Sequence, residues 1–274
     1  MQRVSILKAA ALVAVVLPGA LVLIDILGRT LGPRPMDEII HRTGNDAVWI
    51  LMVALAVTPL SRIARWPQLM LVRRIVGVAV FCYAFVHFGA YVVDQAFDLA
   101  KVAREIVLRV YLTIGFVALV GLGALAATST DAMTRRLGGR RWRRLHALVY
   151  PIGLLGVIHF FLQTKLDNTE PAVCAGVFLW LMAYRAIVGR RLPPAWIVLG
   201  LGVGAGAATM AGEALGLSLA FGAPFLDILS VNFSFDTGVR PGWVVLGAGL
   251  AVAALAAWRS ARRIAARRPA AETA

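Results

Sequence analysis

The sequence predicts an all-α membrane protein, and three observations carry that reading. Sixty per cent of the 274 residues are hydrophobic and 15% are charged, with a mean hydropathy of +0.79. Soluble domains run nearer ~45–50% apolar and ~25% charged. Apolar windows recur along the whole chain, each close to the ~20 residues that a helix needs to cross a bilayer. Finally, positive charge gathers in alternate connections, the pattern of a chain whose loops alternate between two sides of a membrane. A soluble two-domain enzyme, a disulfide scaffold and a disordered chain are excluded by composition.

Eight windows qualify as spans: 6–27, 45–60, 74–93, 110–127, 146–163, 171–188, 195–215 and 242–258. The second is short and is expected to begin in the segment before it. The first follows a basic N-terminus, but its apolar run exceeds the ~7–15 residues of a signal-peptide core. No small-residue cleavage site precedes the turn Leu31-Gly32-Pro33-Arg34-Pro35, so the stretch reads as a helix.

The net charge of +14 would suggest a nucleic-acid partner in a soluble protein. With the N-terminus in the cytosol, however, 20 of the 28 cations face the cytosol, and of 14 acids only Asp131 and Glu272 do. The positive-inside rule then places both termini in the cytosol. The excess charge is an orientation signal, the partner is lipid, and no nucleic acid is expected. Cys82 and Cys174 sit inside helices with no C-x-x-C or C-x-x-C-H around them, and read as buried structural thiols.

A boundary near Arg190-Arg191-Leu192-Pro193-Pro194 divides the chain into residues 1–190, a six-helix bundle, and 191–274, a two-helix hairpin with a basic tail. In the hairpin Gly200, Gly202, Gly204 and Gly206 alternate, as small residues do where helix backbones approach closely in lipid. The segment from Asp94 to Arg109 spaces its apolar residues helically and is expected to lie on the membrane surface.

Ionisable groups inside membrane helices are costly and mark functional sites. Of the four histidines, His41 is expected in a loop, whereas His87, His146 and His159 fall in two helices. His87 and His159 lie near the same end of the third and fifth helices, which run in the same direction. Two imidazoles at matched depth can ligate one haem iron from its two faces, an arrangement suited to electron transfer; interhelical hydrogen bonding is the structural alternative. His146 precedes His159 by 13 residues, ~20 Å along a helix, and Arg73 precedes His87 by 14, ~21 Å. A 14-residue step returns to nearly the same face, whereas 13 residues fall ~140° short. Pro151 is expected to kink the helix between the two histidines, and Gly153 and Gly156 leave flat room for a porphyrin. Arg73 and Arg74 read equally as snorkelling topology charges and as haem-propionate contacts, with direct iron ligation a further possibility for Arg73.

Residues 36–185 resemble the MsrQ family, haem-binding membrane subunits of periplasmic protein-methionine-sulfoxide reductase systems within the ferric-reductase-like transmembrane superfamily. The matching pieces are His41-Arg42-Thr43-Gly44, Thr58-Pro59-Leu60-Ser61-Arg62, Arg73-Arg74-Ile75-Val76-Gly77 and Leu125-Ala126-Ala127-Thr128-Ser129-Thr130. Arg141-Trp142-Arg143-Arg144-Leu145-His146 with Tyr150, then Ile158-His159, continue the series. The resemblance implies b-type haem (one or two), an associated FMN, and electron delivery to a periplasmic molybdopterin partner, MsrP. It carries over His87 and His159 as the periplasmic ligand pair and His146 as an inner ligand. Related oxidases and ferric reductases place a histidine where this chain has Arg73. The cluster of arginines before His146 could hold a flavin phosphate, with Trp142 available to stack on its ring, and reads equally as an ordinary positive-inside loop. No G-x-G-x-x-G fingerprint is present and no soluble tail could hold FAD and NADPH. Electrons are therefore expected from the quinone pool or a separate cytosolic flavin reductase.

The expected function is that of an inner-membrane b-type cytochrome relaying electrons toward methionine-sulfoxide reduction on the partner. A transporter or permease is the rival from another class, supported by the glycine-rich seventh helix with Glu213 and Asp227; a direct ferric reductase is the other.

Overall fold

The structure, a computed structural model, describes residues 2–164, 167–189, 192–236 and 238–267. Among these every regular element is helical: α1 (Gln2–Gly28), α2 (Pro35–Ile63), a 3-10 turn (Pro67–Leu71), α3 (Arg73–Asp94), α4 (Leu99–Leu108), α5 (Val110–Ala127), α6 (Asp131–His146), α7 (Val149–Gln163), α8 (Thr169–Ile187), α9 (Ala195–Phe221), α10 (Phe225–Val231) and α11 (Pro241–Arg267). Among the described residues eight stretches are long and apolar enough to cross a membrane, α6 and α7 together forming one of them. Most large apolar side chains of α1, Leu12, Val13, Val16 and Leu17 included, are exposed, the expected state of a lipid-facing helix.

Local chemistry sets the helix ends. Pro35 opens α2, where its missing N–H costs nothing, and Asp37 and Glu38 favour the positive end of the helix dipole. The second span therefore begins well before its apolar window, as expected. It also carries His41, which is helical rather than in a loop. Asp98 caps α4 by accepting the Lys101 N–H at 2.9 Å. In α4, Val102 is buried while Leu99, Val107 and Leu108 are exposed.

The segment 131–146, read from its charge as a loop, is helical. Thr130 caps it by accepting the Met133 N–H, and Gly138, at φ 73°, breaks it. His146 is consequently the last residue of α6 and does not open the next helix. Ala147 and Leu148, both at αR dihedrals, separate α6 from α7, and Pro151 falls in the first turn of α7. The interruption expected between His146 and His159 is thus present, three to four residues before the proline, where its missing N–H weakens the helix ladder. In the next connection Asp167 accepts hydrogen bonds from the Thr169 hydroxyl and N–H, which hold its carboxyl below the ordinary carboxylate range.

The chain forms two compact units. The first comprises residues 1–57 and 68–165. Its interior is built from Leu51, Met52 and Leu55 of α2, Val76 and Val80 of α3, Leu122 and Leu125 of α5, and Ile152, Val157 and Phe160 of α7. Cys82, expected to be buried, is exposed, whereas Cys174 of the second unit is buried. α1 is tied on by the Asp25–Arg42 ion pair at 2.6 Å and by Tyr83. Near Pro18 the Tyr83 hydroxyl accepts the Gly19 N–H at 2.7 Å and donates to the Val15 carbonyl at 2.8 Å. It thus occupies the rung one residue after the proline, where a helix ladder is weakest. Tyr83→Phe is expected to cost about 1 kcal/mol, read as a lower melting temperature in detergent.

The second unit comprises residues 58–67 and 166–274. The division by packing falls one helix before the composition boundary at Arg190 and Arg191, which themselves lie outside the described residues. The reason is Gly176 of α8, which leaves room for Thr209 of α9 and Val245 of α11. Between α9 and α11, Gly202 meets Gly249, and Gly206 meets Leu246 and Gly242. Glu213 pairs with Arg240 at 3.5 Å beside this crossing.

Candidate functional site

Two of the expected residues meet. His87 of α3 and His159 of α7 bring their ring centroids to 6.3 Å, with the ring planes 78° apart. Each ring is anchored by its inner nitrogen to a helix carbonyl: His87 Nδ1 donates to Ile40 at 2.8 Å and His159 Nδ1 to Tyr111 at 2.9 Å. A carbonyl can only accept, so the Nδ1 proton is fixed, and in the neutral ring Nε2 keeps its lone pair. Imidazoles that bind metals are commonly held in the same way, one ring nitrogen donating to a backbone carbonyl and the other left free.

The elements behind these bonds differ. Ile40 belongs to the polar first turns of α2. Tyr111 sits at the start of α5, just after the bend from α4, where Arg109 pairs with Glu105 and donates to the Tyr111 hydroxyl at 3.0 Å. That hydrogen bond raises the Arg109 pKa, with the nearby Glu105 carboxylate adding to the effect. Each ring also lies against a glycine, His87 against Gly44 and His159 against Gly115. Of the glycines expected to leave room for a porphyrin, Gly153 is buried in α7, and a Cβ on Gly156 would meet only Leu51, at 3.8 Å.

His146 stands apart from this pair. Its Nε2 lies 3.1 Å from the Thr128 hydroxyl, and its ring stacks on Trp142 at 3.9 Å and 23°. The Thr128 hydroxyl also lies 2.8 Å from the Ala124 carbonyl, to which it can donate. Trp142 Nε1 donates to the Thr128 carbonyl at 2.9 Å. Trp142, expected to offer a ring to a flavin, has one face on His146 instead. Arg73 and Arg74, at the start of α3, stand within electrostatic reach of His146, and Arg74 pairs with Asp131 at 2.7 Å. His41 is exposed and bonds the Asp37 carbonyl through Nδ1 at 2.7 Å.

Sequence reasoning missed Ile40, Tyr111, Gly115 and the clamp made by Thr128. The first two act through backbone atoms, which no residue type advertises. Gly115 and Thr128 had a findable signal, a glycine and a hydroxyl on an otherwise apolar helix at the depths of His159 and His146.

A family profile described as the ferric reductase like transmembrane component matches residues 44–157, a range that includes His87 and His146 and ends two residues before His159. The chain is 40% identical over 166 residues to the protein-methionine-sulfoxide reductase heme-binding subunit MsrQ of Rhodospirillum rubrum, covering 60% of this chain and 80% of that one. The chain belongs to the MsrQ family. Its likeness to the MsrQ of Xanthomonas campestris is 45% over 163 residues, 59% of this chain and 73% of the relative. For the MsrQ of Caulobacter vibrioides it is 40% over 162 residues, 59% and 77%. No solved structure matches the chain. As a member of a bacterial MsrQ family with eight helical spans, the chain is a multi-pass inner-membrane protein; outer-membrane spans are closed β-barrels.

Proposed function

We propose that the chain is a b-type cytochrome subunit that holds haem between His87 and His159. It would pass electrons to a periplasmic MsrP-like subunit that reduces methionine sulfoxide in oxidised proteins. The observation that carries this reading is the ring spacing. Imidazole–metal bonds are ~2.0–2.1 Å, and two in line, with the distance from each nitrogen to its ring centre, come to ~6 Å, against the 6.3 Å between His87 and His159. Among the described residues no group of three or more His, Cys, Asp or Glu gathers as for an ion held by protein alone. A two-histidine seat suits an iron whose other four ligands come with its porphyrin. The relatives are named heme-binding subunits, in agreement with this chemistry.

Haem supplies one-electron transfer, and the protein contributes ligation, orientation and a dry surrounding. Ile40 and Tyr111 hold the Nδ1 protons of His87 and His159, keeping Nε2 available and each ring oriented. Apolar side chains of α2, α3, α5 and α7 exclude water from the interior of the unit. His146 with Arg73 and Arg74 forms the inner corner of the proposed haem-binding domain, residues 1–190. There His146 would ligate, and the arginines would contact propionates or, for Arg73, the iron itself. Ligation through Nε2 requires the Thr128 contact to open. Reducing equivalents arrive at that cytosolic end from the quinone pool or a flavin reductase. The exposed arginines of α6 are the groups that would hold an FMN phosphate. Residues 191–274 form an accessory hairpin, and both termini are cytosolic by charge.

Absorption spectra of the purified protein, oxidised and dithionite-reduced, with a pyridine haemochrome count, test the reading; absence of b-type bands overturns it in favour of a transporter. His146→Ala is expected to lower the haem-to-protein ratio while leaving the low-spin signal of the His87–His159 centre in place. An unchanged ratio would remove His146 from the ligand set.

A further inference from the structure

Both histidine seats are built on the same spacing. His87 bonds the carbonyl of Ile40 and lies against Gly44; His159 bonds the carbonyl of Tyr111 and lies against Gly115. In each case the acceptor is residue i of a helix and the glycine is residue i+4. Helical Cα–Cβ bonds tilt toward the N-terminus, so a side chain at i+4 overlies the turn that carries carbonyl i. That is the space a ring from a neighbouring helix must fill to reach the carbonyl. A Cβ on Gly44 would stand 3.0 Å from both Cε1 and Nδ1 of His87. One on Gly115 would stand 2.7 Å from Cε1 and 2.8 Å from Nδ1 of His159. Both separations are well inside the ~3.5–4.0 Å of carbon contact.

We propose that Gly44 and Gly115 are positioning residues that fix the two imidazole planes near perpendicular, and thereby set the electronic structure of the iron held between them. This rests on the haem reading above. Each axial imidazole raises the iron d orbital that its own π system overlaps. Parallel rings raise the same orbital and separate the pair that holds the unpaired electron of ferric low-spin iron; perpendicular rings raise one each and leave the pair nearly degenerate. Orbital momentum then survives, and the largest g value rises. The 78° between His87 and His159 places this protein in the second case. Orientation of axial ligands by their surroundings is thus the lever through which two glycines act on the metal.

The experiment is low-temperature electron paramagnetic resonance of the full-length ferric protein beside its Gly44→Ala, Gly115→Ala and Gly89→Ala variants. Gly89 lies on α3 two residues from His87, and a Cβ there meets nothing within 4 Å, which makes it the control. The wild type should show the single, strongly anisotropic low-spin feature of perpendicular rings. Gly115→Ala should move it to lower g or abolish it, Gly44→Ala should shift it less, and Gly89→Ala should overlay the wild type. A wild type without b-type haem removes the underlying haem reading. A wild type with haem but the rhombic signal of parallel rings overturns this proposal alone, as do glycine variants that overlay the wild type. Should Gly115→Ala fail to accumulate, the wild-type signal and the milder Gly44→Ala decide the matter.

Discussion

Replacing His159 with alanine is expected to abolish the haem centre it shares with His87, and His87→Ala to do the same. Partners that hold metal ligands are worth ~10–100-fold in affinity, so loss of a ligand itself should exceed ~100-fold and remove the low-spin signal of that centre. The two variants should fail alike because the seats are alike, each ring held by one carbonyl, with 6.3 Å between the ring centroids. Were the histidines only interhelical hydrogen-bonding groups, each substitution would cost ~0.6–2 kcal/mol of stability and nothing else. A haemochrome count on monodisperse protein, with a melting curve beside it, separates these outcomes. A normal low-spin spectrum in either variant refutes the ligand assignment.

The outer pair was legible in the sequence because two periodicities agree on it. Alternation of charge between loops fixes which way each helix runs, and the length of each apolar window fixes the depth of a residue within it. His87 and His159 follow from those two facts. The inner corner was not legible, because its geometry depends on where one helix stops. Residues 131–146 are too polar to announce a helix beside a membrane span, and Pro151 announces an interruption without showing that α6 ends at His146, one turn before the proline. A 13-residue step counted along one helix therefore misplaces His146 relative to His159. The carbonyls of Ile40 and Tyr111 were invisible for a different reason, since any residue type could have supplied them.

The alternating glycines of α9 supply the second large effect. Sequence spacing treats Gly200, Gly202, Gly204 and Gly206 as one set, but two residues along a helix is a turn of ~200°. Neighbours in such a series cannot share a face. Gly202 would place a Cβ 2.8 Å from the Cα of Gly249, and Gly249 would place one 2.5 Å from the Cα of Gly202, whereas Gly200 and Gly204 meet nothing within 4 Å. At Gly202 and Gly249 the obstacle is backbone, which has no rotamer by which to yield. Gly202→Ala and Gly249→Ala are each expected to destabilise the second unit by about 1–3 kcal/mol, the usual cost of overpacking. The double variant should cost less than the sum because both lesions strain one contact. Gly200→Ala and Gly204→Ala should be neutral or slightly stabilising, since alanine is the better helix former. Melting curves in detergent read the difference, and haem content per folded molecule should stay constant across all four single variants, because none of the proposed ligands lies in this unit. Equal destabilisation at all four positions would mean that the alternation serves the whole circumference of α9 and not its seam with α11.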